Sequence, residues 1–384
     1  MKPKSEKITL AVTGGGTGGH IYPAVAIIQK LKTDSQIKKI YYIGCPDNME
    51  KDIAAKEEIE FLPVSISGMP RKFKILEIIK WLIALNKAVK QSITYLIKIK
   101  PDIIFGTGGY VSGPVLISAI ILKIPFVIHD PDAHPGIVSK FMAPWAKVVS
   151  VAFEESKNHL KSKNIVVNGN PIRQNFNKIS NFALNDALAS LNLDVSKKTI
   201  VVIGGSQGAK TLNNAMLKAA PRLIKEYNFQ IIHQTGKKNF EEYKAEISKE
   251  WADFLDCPAY VVRPYFDEMA VILSASDLAV SRSGSLSISE LNLSGLPSIL
   301  VPYPYAAADH QKFNAKAMEK AGASIYIEDS KCNSESLIKL IVNLFKNPEK
   351  LADMQDSNKK LAKPDATNNI VKILKTITLS HVTE

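Results

Sequence analysis

The chain has 384 residues, too many for one small core, so roughly two domains are expected. Its 46% hydrophobic and 22% charged content is that of an ordinary globular protein, and a formal net charge of +12 favours polyanions, anionic membrane surfaces or phosphorylated substrates as partners. Cys45, Cys257 and Cys332 are far apart, with no C-x-x-C and no histidine at zinc spacing, which argues against a disulfide or metal scaffold and for a reducing compartment. The start, MKPKSEKITLAV, runs directly into a strand, so no secretory signal is expected. No uncharged apolar run reaches about 18 residues, so no transmembrane helix is expected either.

Ile8 to Val12 reads as an apolar strand, followed by Thr13-GGG-Thr17-Gly18-Gly19-His20 and a helix from about Tyr22 to Lys32. Gly14, Gly16 and Gly19 match G-x-G-x-x-G. A nicotinamide site also needs an acidic residue at the end of the second strand, and here Ile40 to Ile43 leads into Gly44-Cys45-Pro46, with Asp47 beyond the proline. The loop therefore suits some other ligand that comes close to backbone. At a helix start the dipole disfavours a cation, so His20 is favoured in the neutral form that accepts a proton. A hydrogen-bonded structural histidine is the alternative reading.

Phe61 to Val64 is a third strand, and after Ser67 to Lys74 a helix runs to about Lys98. Ile75, Ile78, Leu82, Leu85 and Val89 follow the helical period, while Ile79, Trp81 and Ile83 widen the apolar face. Arg71, Lys72, Lys74, Lys80, Lys87, Lys90 and Lys98 give it a basic margin. That combination suits an anionic membrane surface; a core-facing helix with a solvated basic side is the alternative.

Asp102 to Phe105 ends in a second glycine loop, Gly106 to Pro114, and two such loops on neighbouring parallel strands would line one crevice. Phe126 to Ile128 leads into His129-Asp130-Pro131-Asp132-Ala133-His134-Pro135-Gly136. Asp130 and Asp132 have the D-x-D form that can hold a metal–diphosphate, although the two prolines give the loop a structural reason of its own. After Ile165 to Val167 come Asn168-Gly-Asn-Pro-Ile-Arg173 and a polar connector with a small helix. At Thr199 the pattern restarts: a strand, Gly204-Gly205-Ser206-Gln207-Gly208, and a helix through Leu217.

Strands follow at Gln230–Gln234, Tyr260–Arg263 and Leu278–Val280. Gly284 turns the chain into a helix over Ser285 to Leu293, which Gly295 and Pro297 end before a strand from Ser298 to Val301. A strand that opens through glycine into a helix start presents free N–H groups to an anion. Glu290 could take both hydroxyls of a ribose cis-diol, or could form an S-x-x-E capping box with Ser287. Gln311 and Asn314, three apart, share a face of the next helix. Alternating strands and helices throughout mean α/β with parallel sheets. The expected domains are 1–170 and 171–384, with the tail from about 350 packing back on the first.

The runs GGGTGGH, GTGGYVSGP, GNPIR, GGSQGAKTLN, HQTG, RSGSLSISE and PYPYAAADHQKFNA, in this order, resemble the MurG family of UDP-GlcNAc transferases, which convert lipid I to lipid II in peptidoglycan synthesis. The resemblance implies two Rossmann-like domains facing a cleft (GT-B), with lipid acceptor on the first and donor on the second. It implies an anionic inner-membrane surface as a partner and admits other cell-wall synthesis proteins. No cofactor, metal or nucleic acid is implied. The family has His-Glu-Gln-Asn where this chain has His129 to Asp132, so Asp130 shortens a glutamate and Asp132 replaces an asparagine that contacts the donor sugar.

In this family the product bond is β-1,4 and the donor α-linked, so the reaction inverts the anomeric carbon and needs one base, His20 or Asp130. The leaving diphosphate needs N–H groups or cations. Ser206 and the 204–208 loop, Gln207 included, would supply N–H donors, and Arg173 a fork to a phosphate or the uracil edge. Glu290 would hold the ribose, Gln311 and Asn314 the GlcNAc hydroxyls, and Thr17, Gly18 and Asp132 would complete the substrate contacts. A glycolipid glycosyltransferase with a diacylglycerol acceptor and a nucleotide-sugar epimerase share this donor logic. A nucleic-acid binder would explain only the charge, and the chain has no motif or aromatic platform for one.

Overall fold

Two seven- and six-stranded parallel sheets, each wrapped by helices, make up the protein, described here from a computed structural model covering residues 7–70, 74–172, 181–205 and 207–380. Arg71, Lys72, Arg173 and Ser206 lie outside the described residues. The chain divides into one unit of Met1–Ile172 with Asp365–Glu384 and a second of Arg173–Pro364.

The first unit runs β1 (Ile8–Thr13), α1 (Gly18–Lys32), β2 (Ile37–Gly44), α2 (Met49–Lys56), β3 (Glu60–Pro63) and α3 (Ile75–Ile99). It continues with β4 (Ile103–Gly106), α4 (Ser112–Ile121), β5 (Phe126–Asp130), α5 (Ile137–Met142), β6 (Val148–Val151) and β7 (Ile165–Val167). The second runs α6 (Asn181–Ser190), β8 (Thr199–Ile203), α7 (Lys210–Tyr227), β9 (Gln230–Gln234), α8 (Phe240–Glu250), β10 (Tyr260–Arg263) and α9 (Met269–Ser274). After these come β11 (Leu278–Ser281), α10 (Ser285–Ser294), β12 (Ser298–Leu300), α11 (His310–Lys320), β13 (Ser324–Tyr326), α12 (Ser334–Phe345) and α13 (Pro348–Leu361). The last helix is α14 (Ala366–Ser380).

Strand order is β3-β2-β1-β4-β5-β6-β7 in the first sheet and β10-β9-β8-β11-β12-β13 in the second. Both are doubly wound orders, reversing direction between β1 and β4 and between β8 and β11, where ligands of such folds bind beyond the strand ends. The central strands are buried on both faces, as apolar runs such as Thr199-Ile-Val-Val-Ile203 require.

The tail splits. Gly295 and the α10 helix take α13, which stays with the second unit, while α14 alone belongs to the first. Ile370, Val371 and Leu374 of α14 enter the core built by Leu10, Ile27, Ile28 and Phe105, and Lys375 pairs with Asp34. Its apolar stripe packs beside α1 and β4, and the return begins after Pro364, not near 350.

Among the described residues, each unit fully buries one histidine. His129 lies between Ser150 Oγ (3.1 Å from Nδ1) and Asn170 Oδ1 (2.9 Å from Nε2), and burial pushes its pKa down to about 4 against the asparagine's opposing effect. His233 lies between the Tyr260 hydroxyl (2.9 Å) and Asn213 Oδ1 (3.1 Å), and burial pushes it to about 3. Both folded pKa values sit below the 6.5 of the unfolded chain, so their contribution is complete above pH 6.5 and is lost as pH falls through 4 and towards 3. The two shifts correspond to stability on the order of 3–5 kcal/mol each. Melting temperature is therefore expected to drop steeply between pH 6.5 and 4, and to drop less in His233→Gln; a melting curve flat over that range would refute the assignment.

Candidate functional site

In the first unit β1 pairs with β4, so both glycine loops leave adjacent strands at the switch point. α1 begins at Gly18, four residues earlier than the apolar pattern suggests, because Gly18 and Gly19 carry no side chain to signal a helix. Thr17 is its N-cap, exposed, with no side-chain cap bond; its carbonyl accepts from the N–H groups of His20 (3.1 Å) and Ile21 (3.2 Å). His20 thus stands in the first helical turn, half-buried. Its Nδ1 is 3.0 Å from the Thr107 carbonyl, and the Thr107 hydroxyl donates to the His20 carbonyl at 2.6 Å. A carbonyl can only accept, so Nδ1 carries the hydrogen and Nε2 keeps its lone pair. That is the tautomer a base requires.

Asp130 ends β5 and is 1% exposed. Its carboxylate accepts the N–H groups of Asp132 (3.1 Å) and Gly136 (3.0 Å), so it shapes the loop that follows it. Burial raises its pKa and the Asp132 charge adds to this; the Ser139 hydroxyl, His20 and the Asp132 N–H pull the other way. The two candidate bases share one neighbourhood: a Cβ on Gly108 would lie 3.1 Å from His20 Nδ1 and 3.8 Å from Ser139 Oγ. His20 has the open nitrogen, whereas Asp130 is enclosed. Asp132 is half-buried, and its carbonyl accepts from the Ser156 hydroxyl at 2.8 Å. Among the described residues no group of three His, Cys, Asp or Glu side chains is placed to hold a metal ion.

In the second unit β8 pairs with β11, so the chain leaving Ile203 starts beside the turn at Arg282-Ser283-Gly284, whose Arg282 N–H donates to the Ile203 carbonyl. α7 starts after Ala209 with no side-chain cap and no acidic residue in its first turn, leaving N–H groups at a positive helix end. Gln207 is exposed, and its carbonyl accepts from Asn239 Nδ2 at 3.0 Å.

The N-cap of α10 is Gly284 and no side chain caps it, so Ser287 and Glu290 do not form a capping box. Glu290 lies in the second turn, half-buried. Gln311 accepts the Tyr303 N–H at 3.0 Å, and its Nε2 lies 4.0 Å from where a Gly284 Cβ would stand. Asn314 is fully buried and donates to the Ser283 carbonyl at 3.2 Å, so it braces the turn from inside. Just before α11, Ala308 (φ 50°) and Asp309 (φ 53°) are both left-handed, a conformation that costs roughly 1–2 kcal/mol at each non-glycine residue. Such strain gathers where a loop is shaped for a ligand.

One feature of this unit went unread in the sequence. Arg282, 8% exposed, donates through Nη1 to the carbonyls of Val301 (3.0 Å) and Pro302 (3.1 Å) and pairs with Asp329, whose other oxygen accepts from Thr211 in α7 at 3.0 Å. It ties the ends of β11 and β12 to the first turn of α7. An arginine directly between an apolar strand and a glycine turn was the available signal; its partner, Asp329, is too far along the chain to be paired by spacing.

The chain matches the glycosyltransferase family 28 N-terminal domain over residues 10–151 and the family 28 C-terminal domain over 199–370. It is 37% identical over 368 residues, 95% of this chain and 98% of the relative, to a UDP-N-acetylglucosamine–N-acetylmuramyl-(pentapeptide) pyrophosphoryl-undecaprenol N-acetylglucosamine transferase of Halothermothrix orenii. The protein of the same description from Bacillus subtilis is 35% identical over 366 residues, again 95% and 98% of the two chains. The crystal structure of Acinetobacter baumannii MurG superposes with a TM-score of 0.76 at 28% identity, covering 96% of this chain and 99% of that one. With two doubly wound units, each carrying a glycine loop at its switch point, and relatives that match it nearly end to end, the chain belongs to the MurG family of glycosyltransferases, of GT-B fold.

Proposed function

We propose that the protein moves GlcNAc from UDP-GlcNAc to the 4-hydroxyl of the MurNAc of lipid I, undecaprenyl-diphospho-MurNAc-pentapeptide, with inversion, giving lipid II. The carrying observation is the fixed tautomer of His20: an imidazole whose Nδ1 is committed to Thr107 leaves Nε2 to take the acceptor proton. Donor binding is assigned to the second unit, where the uncapped N-terminus of α7 offers N–H groups to the departing diphosphate and Glu290 a carboxylate to the ribose. Ser206 and Arg173 keep their proposed donor contacts from the sequence. The acceptor is assigned to the first unit.

The test mixes purified protein, UDP-GlcNAc and a lipid I analogue and follows UDP release and the β-1,4 product. Acceptor-dependent UDP release with that product is expected. Conversion of UDP-GlcNAc to its epimer without acceptor would mark an epimerase, and transfer to diacylglycerol a different glycolipid enzyme.

We further place the protein on the cytoplasmic face of the cell membrane as a peripheral protein. No described helix is long and apolar enough to cross a membrane. What supports surface attachment is α3: Ile75 is 71% and Leu76 74% exposed, with Ile79, Leu82 and Ile83 also in solvent. Only the later turns of α3 are packed, through Ala88, Ser92 and Leu96, and its exposed half is bordered by Lys80, Lys87 and Lys90. An apolar patch with a lysine rim suits an anionic bilayer. Binding to anionic vesicles is expected to weaken with salt and in a Lys80→Gln, Lys87→Gln, Lys90→Gln triple variant. Equal binding to neutral vesicles, or none to either, would overturn this.

A further inference from the structure

We propose that Glu50 is a positioning residue for the transfer reaction, holding the first glycine loop, and through it His20, where the acceptor hydroxyl is deprotonated; this rests on the function proposed above. Glu50 stands in the first turn of α2 and is fully buried. Its Oε1 accepts the N–H of Gly16 at 2.9 Å, and Asn48 Nδ2 lies 3.5 Å from the same oxygen. A Cβ on Gly15 would lie 1.6 Å from Glu50 Oε1, so a larger residue there would displace the carboxylate. The carboxylate therefore fills the space behind the loop that a side chain of the loop would otherwise take.

The same cluster joins the two loops. Asn48 Nδ2 donates to the Tyr110 hydroxyl at 3.0 Å, and the Tyr110 ring lies 2.8 Å from where a Gly16 Cβ would stand. The Gly15 N–H donates to the Gly108 carbonyl at 3.3 Å, and Tyr42 OH donates to the Gly14 carbonyl at 2.7 Å from beneath. Gly15 and Gly16 thus spend their N–H groups on the protein, not on a ligand. Their work is to fix the path of the chain into α1, four residues before His20.

The other oxygen of Glu50 is enclosed as well. Its Oε2 is buried with no hydrogen-bond partner among the described residues. An unsatisfied buried oxygen is costly, and such costs persist where the arrangement serves something besides stability. Among the described residues the Gly16 N–H donates to Glu50. Loss of the bond would let the loop shift, and misplacement by about 1 Å can cost 10²-fold in rate.

The experiment compares Glu50→Ala and Glu50→Gln with the parent protein, using UDP-GlcNAc and a lipid I analogue, with hydrogen-exchange protection of the β1 and β4 amides as the measure of folded first unit. In Glu50→Ala, kcat per molecule with a protected first sheet is expected to fall about 10–100-fold while the Kd for UDP stays within about 2-fold. Glu50→Gln keeps an oxygen for Gly16 and is expected to recover most of that loss, though not all, since a neutral acceptor bonds more weakly than a charged one. A loss of β1 and β4 protection with kcat per folded molecule unchanged would show a purely structural role and overturn the proposal. So would a Gln variant as slow as the Ala variant. Absence of transfer by the parent protein would instead refute the function on which the proposal rests.

Discussion

Replacing His20 by alanine is expected to lower kcat/KM for the acceptor by about 10²–10⁴-fold and to remove the acidic limb of its pH profile. The argument is geometric. The Thr107 carbonyl, 3.0 Å away, fixes the hydrogen on Nδ1, so Nε2 is the nitrogen free to take a proton. Protonation at low pH would occupy that lone pair and stop transfer, which is what the acidic limb reports. Asp130 is the rival, and its burial raises its pKa, with the Asp132 charge adding to it, as a carboxylate base would require. Yet it is 1% exposed and its oxygens accept from the N–H groups of Asp132 and Gly136. Asp130→Asn is therefore expected to disturb the 131–136 loop and raise the acceptor KM while leaving the acidic limb in place. If His20→Ala keeps the limb and loses only acceptor affinity, His20 is a binding residue and Asp130 becomes the base.

Glu290→Ala is expected to weaken UDP and UDP-GlcNAc alike, by roughly 1.5–3 kcal/mol, the worth of a hydrogen bond to a charged group, or about 10–150-fold in Kd. The equal effect on both ligands is the decisive part, because a contact to the ribose does not depend on the sugar. Gly284, not Ser287, is the N-cap of α10, so no capping interaction is lost. Isothermal titration with UDP, alongside a melting curve, separates the outcomes. A lower melting temperature with unchanged UDP affinity would return Glu290 to a structural role.

Much of this molecule was legible in the chain itself. Apolar runs such as Thr199 to Ile203 and Gln230 to Gln234 are buried strands because a parallel strand covered on both faces leaves little room for polar residues. The glycine loops announced the switch points, since only glycine permits such turns and such close backbone approach. The order of short motifs carried the family. What spacing could not decide were contacts between residues far apart in sequence. The tautomer of His20 depends on Thr107, the enclosure of Glu50 on Gly15 and Gly16, and the brace of Arg282 on Asp329. Whether Ser287 and Glu290 form a capping box turned on where α10 begins, and the place of α14 on which sheet its apolar stripe packs against. Local propensity and periodicity set the elements; burial and hydrogen-bond partners, properties of the packed chain alone, decided what their side chains are free to do.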